Sequence, residues 1–289
     1  MLPSGSQLGG APANFAYFAS LLGDEGIVAS RVGRDDLGDE AVNRIAGKGL
    51  STAAIQRDDA HPTGTVGVSI GPDGQPDFTI NGGVAWEHMA WTPEWSALAA
   101  RADAVCYGTV SRHEAESTAA VTAFLDAIRP SALRLFDVNL RQDRYSPPLL
   151  QDSFQRAHAV KLNDEELHTV CPLLNLGDAG LESMARRLLK AYELKLVCVT
   201  RGSAGSLLVT STETVGHPGV PVDVVDTIGA GDAFTAVLAI GLLRGVPLAR
   251  VSEAANRLGA WVASRTGAMP EADEAVCSAV RNILRGNTV

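Results

Sequence analysis

The stretch that decides the reading is Asp226-Thr-Ile-Gly-Ala-Gly-Asp232, followed by Ala233-Phe234. It lies between an apolar, strand-like run at 220–225 and a helix-like run marked by Phe234, Val237, Leu238, Gly241 and Leu242. Two glycines at a strand-to-helix turn leave backbone N–H groups unobstructed at a helix N-terminus, which is an anion site. The carboxylate of Asp232 follows at once, where it could take a proton from an incoming hydroxyl. An anion cradle beside a base is what phosphoryl transfer to an alcohol needs. Taken alone, GxGD also suits an ordinary turn with Asp232 as a helix cap. Asp226-Thr227 and Phe234 on either side make the pattern more specific. No GxxxxGK[ST] run occurs, so the chain is not a P-loop enzyme. The helix dipole and nearby amides are expected to favour the ionised form of Asp232 and leave it a modest base.

Outward from this loop, strand-like runs alternate with helical periodicity. Strands are expected at 26–32, 104–107, 133–138, 159–162, 195–200 and 206–209, and helices at 13–22, 37–48, 117–128 and 181–191. Asp35 or Asp36 suits the N-cap of the second helix. Such alternation predicts an α/β fold with a mostly parallel sheet covered on both faces. One segment breaks the pattern. Residues 63–70 and 76–80 read as a β-hairpin turning at Gly71-Pro72-Asp73-Gly74, a small β lid on the main sheet. No linker or repeat divides the chain, so residues 1–289 are expected to form one domain.

Composition limits the partners. The 289 residues are 46% hydrophobic, enough for a large core, and carry a net charge of −9. With no basic block, nucleic acid and anionic membranes are poor partners. A polyphosphate would have to be held by backbone amides, a metal ion and one or two arginines. Cys106, Cys171, Cys198 and Cys277 are scattered without a CxxC pair, so neither a disulfide framework nor a metal cluster is expected. No apolar stretch approaches the roughly 20 residues that span a bilayer, and Met1-Leu-Pro-Ser-Gly is no signal peptide. A cytoplasmic protein is expected.

Further motifs stand in a fixed order. Gly9-Gly10-Ala-Pro-Ala-Asn14 is a glycine turn into a helix, continued by Gly23, Arg31-Val-Gly-Arg-Asp-Asp36 and Gly38. Phe136-Asp137-Val-Asn139-Leu-Arg141 ends a strand, where open α/β sheets place ligands. Lys161-Leu-Asn163-Asp-Glu-Glu166 follows the next strand; its acids also suit a plain helix start. Thr200-Arg-Gly202-Ser-Ala-Gly205 is a TxGxxG turn, and Asn256, Ala260, Gly267 and Ala268 lie in small-residue stretches that suit either a flat base or helix packing.

Together these motifs resemble, over nearly the whole chain, the PfkB family of carbohydrate kinases, in its fructokinase-like branch. The resemblance implies a ribokinase-like fold and an ATP-dependent sugar kinase. It places the catalytic base at Asp232 and the anion hole at Gly229, Ala230 and Gly231. Sugar contacts fall to Gly10, Asn14, Asn139 and Arg141, and the ATP site to Thr200, Gly202, Gly205, Asn256 and Gly267. Asn163 and Glu166 are implied to organise Mg2+ through water, and Asp226 with the Ile228 carbonyl to ligate a monovalent cation such as K+. A ketohexose such as fructose suits the GGAPAN and DxNxR wording. The alternatives are a 2-keto-3-deoxygluconate-type sugar acid, with Arg141 or Arg112 for its carboxylate, and a nucleoside. Trp86 and His88 are expected to line the pocket or, for Trp86, to anchor the lid. Lids in the family often pair across homodimers. The family pattern has an earlier strand, ending in an Asp that contacts the sugar, before the glycine pair. Only eight residues precede Gly9 here, so the expectation is that this strand is lacking. An exposed neighbouring strand would then need another partner, and a catalytically weak nucleotide- or sugar-binding protein is a further alternative.

Overall fold

The computed structural model describes residues 8–70 and 76–286. After α1 (Ala11–Leu21) the chain forms β1 (Ser30–Gly33), α2 (Asp36–Gly47) and β2 (Ile55–Asp58). The hairpin β3 (Val66–Ile70) and β4 (Pro76–Ile80) comes next, then α3 (Pro93–Arg101), β5 (Ala104–Tyr107), α4 (Ala115–Ala127) and β6 (Leu133–Asp137). α5 (Pro147–Arg156), β7 (Ala159–Asn163), α6 (Asp164–Leu173), α7 (Leu181–Ala191) and β8 (Leu196–Thr200) continue the alternation. β9 (Ser206–Val209), β10 (Thr214–His217), α8 (Ala230–Leu243), α9 (Leu248–Ala263) and α10 (Glu274–Arg285) complete it.

The central sheet has six strands in the order β10-β9-β8-β7-β6-β5. β5 to β8 are parallel, and β9 and β10 join antiparallel at one edge. β7 and β8 are buried on both faces because both are covered, and apart from Lys161 their buried residues are apolar. One face, with Leu135, Ala159 and Cys198, packs on α1, α8, α9 and α10. The other, with Phe136, Val160, Leu162 and Val197, packs on α5, α6 and α7. Local sequence fixes the helix starts: Asp35 accepts from the Gly38 amide at 2.7 Å to cap α2, and Ser146 caps α5 ahead of Pro147.

Two expectations change. Residues 220–225 form no strand. Pro221 withholds a ladder donor, Val222, Val224 and Val225 stay exposed, and the Val225 and Asp226 amides donate instead to the Ala263 carbonyl. The strand expected at 26–32 begins only at Ser30, with Ile27 reduced to a single bridge to Ser51.

The hairpin forms its own two-stranded antiparallel sheet; its turn at 71–74 lies outside the described residues. β1 and β2 make a separate parallel pair. Among the described residues, β1 pairs only with β2 and β5 only with β6, so each keeps one open edge, and both strands are half-buried over three of their four residues. Met1 to Gly5, in the short segment before the glycine pair, also lie outside the described residues. No described helix is long and apolar enough to cross a membrane.

Candidate active site

Gly229 is the N-cap of α8 and sits at φ 82°. A Cβ there would lie 2.4 Å from the Ala268 carbonyl oxygen, so glycine is required by both backbone angle and space. Ala230, Gly231 and Asp232 fill the first turn, where N–H groups have no earlier helical partner. The Ala230 amide reaches the Thr227 carbonyl, leaving those of Gly231 and Asp232 for a ligand. Asp226 braces the loop: one carboxylate oxygen accepts from the Ile228 amide at 2.9 Å, the other from the Gly267 amide at 3.0 Å. The expected cation ligands and Gly267 thus meet behind the anion loop.

Asn14 reaches this turn from α1. Its Nδ2 donates to the Asp232 carboxylate over 2.6 Å, and its buried Oδ1 has no partner. Gly10, at φ 108°, caps α1 and accepts from the Asn14 amide. Burial pushes the Asp232 carboxyl up to about 6, and the neighbouring Asp137 adds to it; Asn14, Lys161 and Arg141 oppose. The expectation that dipole and amides would keep Asp232 a modest base is therefore corrected. Desolvation wins, and Asp232 is the stronger base for it.

The ends of β6 and β7 bring further charge to the same place. In the parallel register Asp137 lies opposite Lys161. The Lys161 ammonium bonds both Asp137 carboxylate oxygens, at 3.1 and 3.3 Å, and Thr235 of α8 donates to one of them at 2.9 Å. Neither Asp137 nor Lys161 has a role expected from sequence. Their signal was a charged residue inside or ending an apolar strand. Asn139 follows at φ 43°, and Arg141 is half-buried with one nitrogen on its neighbour's carbonyl. Glu166 bonds the Asn163 and Leu140 amides, at 2.8 Å each, while Asn163 accepts from the Glu166 amide. The pair is a capping box that also pins the loop carrying Asn139 and Arg141. Burial raises the Glu166 carboxyl.

Among the residues expected to face a nucleotide, Thr200 lies beside Asn163 in register, and Gly202 and Gly205 take positive φ in the turn after β8. Asn256 is buried, its Nδ2 donating at 2.8 Å to the Ser252 carbonyl and to the Oγ of Ser206, the residue that pairs with Thr200 across this turn. That amide nitrogen serves the contact of α9 with β9.

The roots of the hairpin are tied together. The His61 and His88 rings stack 3.6 Å apart, and the Ala85 amide donates to the Pro62 carbonyl. Trp86 packs on Gly64 and receives the Arg144 guanidinium over its ring, while Arg144 pairs with buried Glu87. Trp86 is thus an anchor of the root. Arg112, weighed for a substrate carboxylate, is buried against Asp152, Ser153 and Thr122, so its guanidinium is already committed.

A three-layer α/β fold carrying a carboxylate in the first turn of a glycine-capped helix suits a phosphotransferase acting on a sugar hydroxyl. The chain belongs to the pfkB family of carbohydrate kinases, whose family model matches residues 5–275. It is 32% identical over 274 residues to a fructokinase of Klebsiella pneumoniae, covering 90% of this chain and 87% of that protein. A sugar kinase of Pyrococcus horikoshii, solved in complex with ATP, superposes with a TM-score of 0.79 at 28% identity, covering 96% of this chain and 90% of that one. The fructokinase of Xylella fastidiosa with bound ATP shares the fold at a TM-score of 0.81 and 23% identity. The ribokinase-like fold expected from the motifs is thus established.

Proposed function

We propose that this sugar kinase uses ATP to phosphorylate a primary hydroxyl of a ketohexose such as fructose, with Asp232 as the base. One observation carries the reading: the Asp232 carboxylate, raised by burial, stands in the same helical turn as the partnerless amides of Gly231 and Asp232, and holds Asn14 at 2.6 Å. The sugar hydroxyl gives its proton to Asp232 as its oxygen attacks the γ-phosphoryl group. The amides of Gly231 and Asp232 receive the charge that develops on the transferring oxygens, since that of Ala230 is held by the Thr227 carbonyl. Asn14, whose Oδ1 is open, and Gly10 hold the sugar beside the base, with Asn139 and Arg141 across from them. An amide suits a polyol because it both donates and accepts.

Thr200, Gly202, Gly205 and Gly267 would face the nucleotide, and Asn256 would back its pocket. ATP-bound relatives support this side of the site. Each Glu166 oxygen takes one backbone amide and keeps lone pairs for water, so Asn163 and Glu166 fit a water-mediated hold on Mg2+. Mg2+ would neutralise charge on the phosphates. Asp226 and the Ile228 carbonyl would hold a monovalent cation behind the loop. The hairpin at 63–80 would close over the sugar as a lid and exclude water, and lids could pair in a homodimer. Similarity to fructokinases supports fructose. The test is ADP release across a panel of ketohexoses, aldohexoses, sugar acids and nucleosides, with Asp232→Asn as control. Fructose-dependent release that is lost in Asp232→Asn is expected; equal release by both proteins would remove Asp232 as the base.

A further inference from the structure

Three carboxylates, Asp137, Glu166 and Asp232, converge near the start of α8, yet only one buried ammonium stands among them. That ammonium is Lys161. Its nitrogen sits on Asp137, and Asp137 is itself held by Thr235 one turn into α8. The same nitrogen lies 3.2 Å from the point where a Gly231 side chain would begin. Lys161 therefore rests directly beneath the anion loop, one residue from the base, on the sheet face that α8 covers. The groups facing Asp232 are Asn14 from α1, the Cys106 thiol from β5, Asp137 from β6, Arg141 from the following loop and Lys161 from β7. Burial pushes the Cys106 thiol well up, so it stays neutral.

We propose that Lys161 is a positioning residue for the transfer step: fixed on Asp137 beneath Gly231, its ammonium cancels the field of Asp137 at Asp232 and keeps the base ionised at working pH. Two carboxylates in a shared low-dielectric site cannot both ionise freely. Here Asp137 opposes the ionisation of Asp232 and Lys161 favours it. The register that sets Lys161 opposite Asp137 makes them one charge-compensated unit, fastened to α8 through Thr235. This account also explains Gly231, where a side chain would crowd the ammonium.

The proposal rests on the role given to Asp232, so its test reads the carboxyl directly as well as through activity. The Asp232 carboxyl is followed by 13C NMR of aspartate-labelled protein, assigned by its absence in Asp232→Asn, beside the pH profile of kcat/KM. Lys161→Met is expected to move both titrations up by about one unit or more. Activity near pH 6 then falls by about fivefold or more and recovers at high pH. Asp137→Asn, which leaves the ammonium unopposed, moves them the other way. The double variant Lys161→Met/Asp137→Asn returns them to within about half a unit of wild type, because the opposing charges are removed together. If Lys161→Met does not fold, the downward shift in Asp137→Asn and the return in the double variant still decide the matter. An unchanged Asp232 titration in Lys161→Met, or the same upward shift in the double variant, would overturn the proposal. Wild-type protein that releases no ADP with any sugar would sink the kinase reading instead, while the NMR titration would still judge Lys161.

Discussion

Asn14 and Asp232 lie 218 positions apart in sequence, yet the amide of one donates to the carboxylate of the other over 2.6 Å. This contact joins the two halves of the proposed site, in which α1 would bring the sugar-side amide and α8 the base. A hydrogen bond to the charged form favours ionisation, so Asn14 works against the burial that raises Asp232. Asn14→Ala is expected to move the acidic limb of the kcat/KM profile upward and to raise the KM for sugar. Measuring the profile and the KM together tests both effects; a KM change with an unmoved limb would confine Asn14 to sugar contact.

Replacing the base itself should affect turnover far more than binding. Asp232→Asn keeps the shape and the bond to Asn14 but cannot accept the proton. A loss of about 10²- to 10⁴-fold in kcat is expected, the usual worth of a general base. A coupled ADP assay under sugar saturation, with KM read alongside, checks it.

The same substitution should stabilise the protein near neutral pH. The folded-state value of Asp232, about 6, lies above the ordinary 3.8. Between those values the folded protein holds a proton that the unfolded chain has lost. The contribution of Asp232 to stability therefore rises as pH falls through about 6, and its burial penalty is fully present above that. Asp232→Asn removes the penalty. Its melting temperature should exceed that of wild type at pH 8 by more than it does at pH 4. Thermal melts at the two pH values decide the point; a constant difference would contradict the assigned shift.

Gly229→Ala is expected to be destabilised by about 2 kcal/mol or more. Strain from a left-handed backbone and overpacking each contribute on the order of 1–2 kcal/mol. The φ of 82° and the 2.4 Å approach to the Ala268 carbonyl supply both. Urea unfolding measures the loss, and activity should fall with it because the amides of Gly231 and Asp232 shift.

Arg144→Met should leave Glu87 as an uncompensated buried charge. Both side chains are nearly inaccessible, at 9% and 4%, and losing one partner of such a pair costs about 3–5 kcal/mol. Glu87 also takes the Gly83 and Val84 amides, so the loss would fall on the hairpin root. Proteolysis confined to residues near 80–90, together with urea unfolding, would register it.

Much of the fold was legible because its signals are local. Of the two expected candidates, Asp35 and Asp36, Asp35 caps α2, and β5 and β9 run over the expected residues. The run at 220–225 misled because valine content alone marks a strand, while a ladder also needs a neighbour and a full set of donors, which Pro221 breaks. In the site, the anion loop was readable from its glycines. The union of Asp137 with Lys161 was not, because it depends on the register of two strands 24 positions apart. Nor was the acidity of Asp232, since the sequence displays the amides around it but not the depth at which α1 and the sheet bury it. Arg112 had the right chemistry for a carboxylate ligand, but only packing reveals that Asp152 already occupies it.

The tied roots of the hairpin carry a last consequence. With His61 stacked on His88, Pro62 bonded to Ala85 and Thr65 bonded to Asn81, the segment between them is already a closed loop before anything binds. The entropy of bringing its ends together is lost on folding rather than on ligand capture. In the proposed closure of the hairpin over a sugar, that loss has already been taken. Substitutions at the root should accordingly weaken binding without touching the ligand, by reopening the loop at its base.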